Sequence, residues 1–244
     1  MDSQPKSRGH SERAGRRSWI CAYRFARAFT TCLSKCDYQG PLLGTRLVGD
    51  YVLFFRPMWM DLLLISPFPD TDGRSTSESP NHYRFHLNHP DGRFTGASLS
   101  EPQPNPESPD DSRIVYVLAH STTIGFFYFR VTIYNPDYTP SGPRARMDVG
   151  LVGVHELRKP ELGRREKLGP CLALRSWLGP QGKRGIWIER PLSKHMDFVV
   201  AVSFDQRFPA AVPVEPGDDL GELCEIAPRI EATGDVFIWN SHGQ

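Results

Sequence analysis

The sequence predicts a mainly β protein: an antiparallel meander of about ten short strands, arranged as a sandwich or an incomplete propeller-like array, behind a disordered basic N-terminal tail. Three observations carry this. Between Leu172 and Asp205, β-type runs flank links too short for a crossover helix, which requires an antiparallel hairpin. The chain holds 22 prolines and 21 glycines, and turn signals recur roughly every ten residues, the rhythm of a sandwich or propeller. Charge is divided unevenly. Residues 1–35 hold eight Lys/Arg against Asp2 and Glu12, whereas the rest of the chain is net acidic, so the overall +1 conceals a basic tail on a mildly acidic body.

The elements follow in order. Met1–Arg17 has almost no apolar residues to offset the entropy of ordering, and the tail over 1–35 is expected to be disordered, with a short helix as the alternative over Ser18–Leu33. The β-rich domain spans 36–244. Leu47–Phe55 and Met60–Ser66 are rich in β-branched, aromatic and aliphatic residues and are separated by Pro57. Tyr83, Phe85 and Leu87 alternate with polar residues, the period of a half-buried strand. The Pro- and acid-rich segment 100–112 contains no large apolar residue and reads as a surface loop, the best candidate for a hinge. Ile114–Ala119, Gly125–Tyr134 and Val149–Glu156 read as strands, with a turn cluster over Asn135–Pro143 and a charged loop or short helix over Arg158–Lys167. Pro209–Gly221 reads as a loop; the chain then ends with Leu223–Ile226 and a final strand, Asp235–Trp239.

Candidate chemistry is sparse. His82, His86 and His89 are the tightest histidine group. Placed on a strand, the first two stand about 13 Å apart, too far to share one metal at bonds of about 2.1 Å. Asp70, Asp72 and Glu78 have the wrong spacing for a calcium loop and suit a turn. No metal and no cofactor is expected. Cys171 lies at the entry to a strand, no Gly-x-Ser-x-Gly elbow exists, and Gly179-Pro-Gln-Gly182-Lys183 lacks phosphate-loop spacing. A small hydrolase-like enzyme using Cys171, His86 or His120 in a cleft is the alternative to a non-enzymatic protein. The basic tail with Trp19, Tyr23 and Phe25 could hold nucleic acid, but the acidic body carries no RNA-binding signature, and a nucleic-acid partner is not expected. The longest apolar runs fall far short of a membrane helix. Five scattered cysteines point to free thiols in a reducing compartment, cytoplasm or nucleus, with a mitochondrial address as the alternative for the Arg- and Ser-rich start.

The hairpin offers the binding candidates. If Ile186 and Ile188 point inward, Trp187 and Glu189 point outward. Trp187 would then join Lys183 and Arg184 as a contact residue, since exposed aromatics and arginine are enriched at interfaces. The alternative is that Trp187 covers the neighbouring strand or packs between two sheets, since sandwiches and propellers can bury both faces.

The block Trp177-Leu-Gly-Pro-Gln-Gly-Lys-Arg-Gly-Ile-Trp-Ile-Glu-Arg190 resembles a segment in the C-terminal half of the F-box proteins of mushroom-forming fungi, as does the terminal Gly234-Asp-Val-Phe-Ile238. The resemblance covers Leu172–Asp205 well and Leu47–Trp239 loosely. It implies a β-rich, propeller-like region that recognises a protein partner, while F-box helices dock to a ubiquitin-ligase scaffold. No Leu-Pro-x-Glu-Leu-type amphipathic helices precede Leu47, so scaffold docking is not carried over. The expected function is that of a non-enzymatic intracellular protein-interaction module.

Overall fold

The computed structural model describes residues 40–65, 82–88, 93–109, 111–122, 124–139, 142–157, 171–192, 196–204, 211–230 and 237–240. The expected tail over 1–35, the Asp70–Glu78 turn, His89 and the charged segment 158–167 lie outside them. Antiparallel sheets dominate. The first contains β1 (Gly44–Val48), β2 (Tyr51–Phe55), β3 (Trp59–Leu64) and β4 (His82–His86) in that spatial order. The second and largest uses β5 (Gly96–Leu99), β6 (Gln103–Pro104), β7 (Ser112–Ser121), β8 (Gly125–Tyr134), β11 (Met147–Glu156) and β15 (Val212–Val214). Its order is β15-β11-β8-β7-β5, and β6 also pairs with β7. Between β8 and β11 the chain makes a two-stranded ribbon of β9 (Asp137–Thr139) and β10 (Gly142–Arg144). The third sheet joins β12 (Cys171–Leu178), β13 (Arg184–Pro191), β14 (Met196–Ser203) and β16 (Phe237–Asn240). A short helix, α1 (Leu220–Ile226), is capped by Asp219, whose carboxylate accepts from Gly221 N–H at 2.7 Å.

The sheets stack in three layers with the largest in the middle. One face of the central sheet, carrying Val115, Val117, Phe127, Phe129, Val131 and Leu151, packs on Leu53, Phe55, Met60 and Leu62 of the first sheet. Phe94 joins the two, with edge-on contacts to Phe55, Phe127 and Phe129 at 5.5, 5.3 and 6.0 Å between ring centroids. The opposite face, carrying Leu118, Phe126, Tyr128 and Val152, packs on Cys171, Ala173, Trp187, Val200 and Val202 of the third sheet. This explains why β7 and β8 are almost continuously apolar: a strand buried on both faces has no side on which polar residues are favoured. Among the described residues no sheet closes into a barrel. Of the two expected arrangements, the sandwich describes this face-to-face stack; the first sheet is a four-stranded meander, and the third has four strands but is interrupted by β15 and α1 before β16.

Four features differ from the sequence reading. Sixteen strands are present among the described residues rather than about ten. Part of the excess is Leu47–Phe55, which is split by a two-residue turn: Val48 pairs with Tyr51, and Gly49 takes φ +57°. Gly at the first central position is what a II′ hairpin uses, and its twist suits the flanking strands. The segment 100–112 is more than a surface loop. It contributes β6 to the central sheet, and buried Asn105 donates to Ser112 Oγ at 2.9 Å. Pro209–Gly221 contains β15, and Leu223–Ile226 belongs to the helix, whose Leu220 and Cys224 enter the first core one turn apart.

Candidate interaction surface

The β12–β13 hairpin is closed by a tight turn. Gly179 N–H donates to Arg184 O at 2.8 Å, and Gly182 N–H donates to Gly179 O at 2.9 Å. Gly182 has φ +73°, and a Cβ there would overlap the ring of Tyr116. Only glycine meets both demands without strain. Neighbours anchor the turn from several sides. Tyr128 Oη donates to Gly182 O at 2.8 Å, and Glu101 N–H and Gln103 Nε2 donate to Pro180 O at 2.8 and 3.3 Å. The exposed Lys183 and Arg184 therefore project from a fixed platform.

Trp187 does not join them. It is 0% exposed and faces the central sheet, stacked on Phe126 with 4.7 Å between centroids. The expected parity of β13 is reversed: Trp187 and Glu189 point inward, and Ile186 points outward with 42% exposure. The cause is polar satisfaction. Trp187 Nε1 donates to Glu189 Oε1 at 2.7 Å, and the same oxygen lies 2.9 Å from His155 Nε2, while His155 Nδ1 lies 3.1 Å from Ile230 O. A carboxylate with such partners can be buried, and burying Trp187 removes far more apolar area than burying an isoleucine would.

The reversal leaves apolar side chains on the outer face of the third sheet. Trp177, Ile186 and Ala201 lie in one cross-strand row; Ile188 and Val199 lie in the next, opposite Arg175. Trp177 is 44% exposed. Arg175, Lys183 and Arg184 are exposed, and among the described residues none of them forms an ion pair. At the far end Arg190 and Asp197 are bound to each other by two hydrogen bonds of 2.6 and 2.8 Å. The Arg190 hydrogen bond holds the Asp197 carboxyl below its ordinary range. The surface thus combines apolar rows with unopposed positive charge at the turn end.

The other sequence candidates are dispersed. Cys171 is buried in the second core. Cys224 is buried in the first, where burial and, next, the charge of Glu156 push its thiol up to about 11. His86 lies exposed beside Trp59 on β4. His120 borders an open cleft and meets Ser176, with Nδ1 3.2 Å from Oγ; among the described residues neither Cys171 nor any carboxylate lines that cleft. Among the described residues no group of three His, Cys, Asp or Glu side chains could hold a metal ion, and no helix is long and apolar enough to cross a membrane.

Sequence reasoning missed one polar cluster. Asp61, fully buried on β3, accepts from Arg84 Nε at 2.7 Å and Trp59 Nε1 at 3.1 Å and meets His82 Nε2 at 2.9 Å. Arg56 Nε lies 3.3 Å away. Burial pushes the carboxyl up, but the hydrogen bonds of His82 and Arg84, reinforced by their charges, hold it below the ordinary value. The signal was one acid inside the apolar run Met60-Asp-Leu-Leu-Leu64. The cluster is an ion-paired anchor for the first sheet.

No protein-family model, curated protein or solved structure matches the chain.

Proposed function

We propose that this protein is a non-enzymatic interaction module. The outer face of its third sheet grips a partner segment that combines acidic and bulky apolar residues. One observation carries the reading: Trp177 and Ile186 stand exposed side by side across β12 and β13, next to cations with no ion-pair partner among the described residues. Trp and Arg are the residues most often dominant at interfaces, and apolar rows edged by unopposed charge favour a complementary acidic strand or helix. The rigid turn strengthens the case, because Lys183 and Arg184 need little ordering on binding.

The resemblance to the C-terminal regions of fungal F-box proteins fits this reading. In the Gly-Lys-Arg/Gly-x-Trp-x-Glu-Arg run of the resemblance, Gly182 shapes the turn, Trp187 and Glu189 lock the hairpin to the core, and Lys183 and Arg184 remain exposed, as does Ile186 at a variable position. The module acts inside cells, in a reducing compartment, where the buried thiols of Cys171 and Cys224 stay reduced.

The test is selection of short random peptides on the full chain, with counter-selection on Ile186→Ser and Arg184→Glu. Enrichment of peptides pairing acids with a bulky apolar residue, lost on both variants, is the expected result. Enriched peptides that bind the variants equally, or single-stranded RNA that displaces the peptides and binds more tightly, would overturn it.

A further inference from the structure

The chemistry that would complement the third sheet's outer face occurs elsewhere in this chain. Helix α1 buries Leu220 and Cys224, one turn apart, in the first core. Glu222, Glu225 and Ile226 stand three and four positions apart and share the opposite side of the helix. All three are exposed, and Ile226, at 67%, is the most exposed large apolar residue among those described. The helix thus presents a bulky apolar side chain edged by two acids. The third sheet presents Trp177 and Ile186 edged by Arg175, Lys183 and Arg184. The two surfaces are complementary in charge and alike in their apolar centres.

The charge on α1 is uncompensated. Two glutamates three positions apart repel each other. Glu225 also sits in the last turn, where the helix dipole already presents negative charge. No basic residue lies in that turn, and Arg229, just beyond it, is bound to Glu156 at 2.8 Å. Among the described residues neither Glu222 nor Glu225 forms an ion pair. Cations supplied by another molecule would relieve both effects. They cannot come from the same molecule's third sheet. α1 is anchored in the core between the first and central sheets, whereas the third sheet lies on the other side of the central sheet with its outer face turned away. Two copies set with these outer faces together would bring like charges into contact.

We propose that the outer face of the third sheet takes the α1 helix of a second copy of this chain, Ile226 against Trp177 and Ile186, and Glu222 and Glu225 on Lys183 and Arg184. The inference rests on the reading of that face as a binding surface and names its partner. The contact joins unlike surfaces, so every molecule carries one helix and one face to offer.

The test is sedimentation velocity of the full chain over a rising concentration series. In low salt the average mass should rise from that of a monomer to that of a dimer or beyond. High salt should reverse this, because screening weakens contacts between exposed charges. Glu222→Lys/Glu225→Lys, which suits the helix dipole better, should leave the unfolding midpoint no lower and the protein monomeric. Trp177→Ala/Ile186→Ser should also be monomeric alone. An equal mixture of the two variants should form a dimer and stop there, since one keeps the face and the other the helix. A wild-type chain that stays monomeric, association that survives Glu222→Lys/Glu225→Lys, or a mixture that does not dimerise would overturn the proposal. Peptide selection separates the two readings. Acidic peptides that bind a wild-type chain shown to be monomeric leave the binding face standing and remove the second copy as its occupant; neither binding nor association removes both.

Discussion

The two faces of the third sheet are made by alternate residues of the same strands, yet they do opposite things. Inward, Trp187, Glu189, Val200 and Val202 seal against the central sheet, and every large side chain has an apolar or hydrogen-bonded neighbour. Outward, Trp177 and Ile186 keep more than two-fifths of their surface exposed beside three cations. The first sheet sharpens the contrast, because its own outward-facing Val52 and Phe54 are buried, with Leu42, Leu63 and Ile65 packed against them. An outer face in this fold can therefore be covered, whereas Trp177 and Ile186 on the third sheet's outer face stand exposed. Where burial was available and not used, the bare residues are the ones to associate with binding.

The largest test of that division is Trp187→Ala. It empties the inner face and strips Glu189 of a donor, and should cost about 3–5 kcal/mol of folding free energy, read from urea unfolding. Asp61→Ala should approach the same size, about 3–5 kcal/mol, because it leaves Arg56 buried without its carboxylate. The milder Asp61→Asn addresses pH. A carboxyl held low in the folded state stabilises fully above its unfolded value, near 3.8, and that contribution is lost as pH falls through the lower folded value. Wild-type stability should thus decline below about pH 4, and Asp61→Asn should flatten that part of the curve; an unchanged slope would remove Asp61 from the account.

Gly182→Ala comes next. It places a side chain at φ +73° and against Tyr116, and should cost about 1–3 kcal/mol. Trp177→Ala and Ile186→Ser should change stability least, by about 1 kcal/mol, since each residue keeps more than two-fifths of its surface in water. A loss at Trp177 matching that at Trp187 would erase the distinction between the faces.

Much of the fold was legible because β-branched and aromatic runs bounded by Pro and Gly leave few alternatives to antiparallel strands. The less legible parts have physical reasons. Alternation in Gly185-Ile-Trp-Ile-Glu189 shows which residues share a face, and cannot by itself show which face is inside. Choosing the isoleucines as inward neglected that Glu189 could be satisfied by Trp187 and by His155, thirty-four positions earlier. The same long-range dependence hid Asp61, whose partners Arg56 and Arg84 come from different parts of the chain. The seven-residue α1 is too short for helical periodicity, and its clearest mark was the capping Asp219. Of the candidate site, Lys183 and Arg184 were readable from charge beside a turn. Trp177, the aromatic that stands exposed, was obscured by the more conspicuous Trp187.

The central claim is that the outer face of the third sheet binds an acidic, apolar segment through residues the fold does not need. The most direct measurement is the affinity of one selected acidic peptide for Arg184→Glu against the wild-type chain, with both unfolding midpoints determined alongside. Arg184→Glu should lose at least tenfold in affinity at an unchanged midpoint. Equal affinity for the two proteins would contradict it.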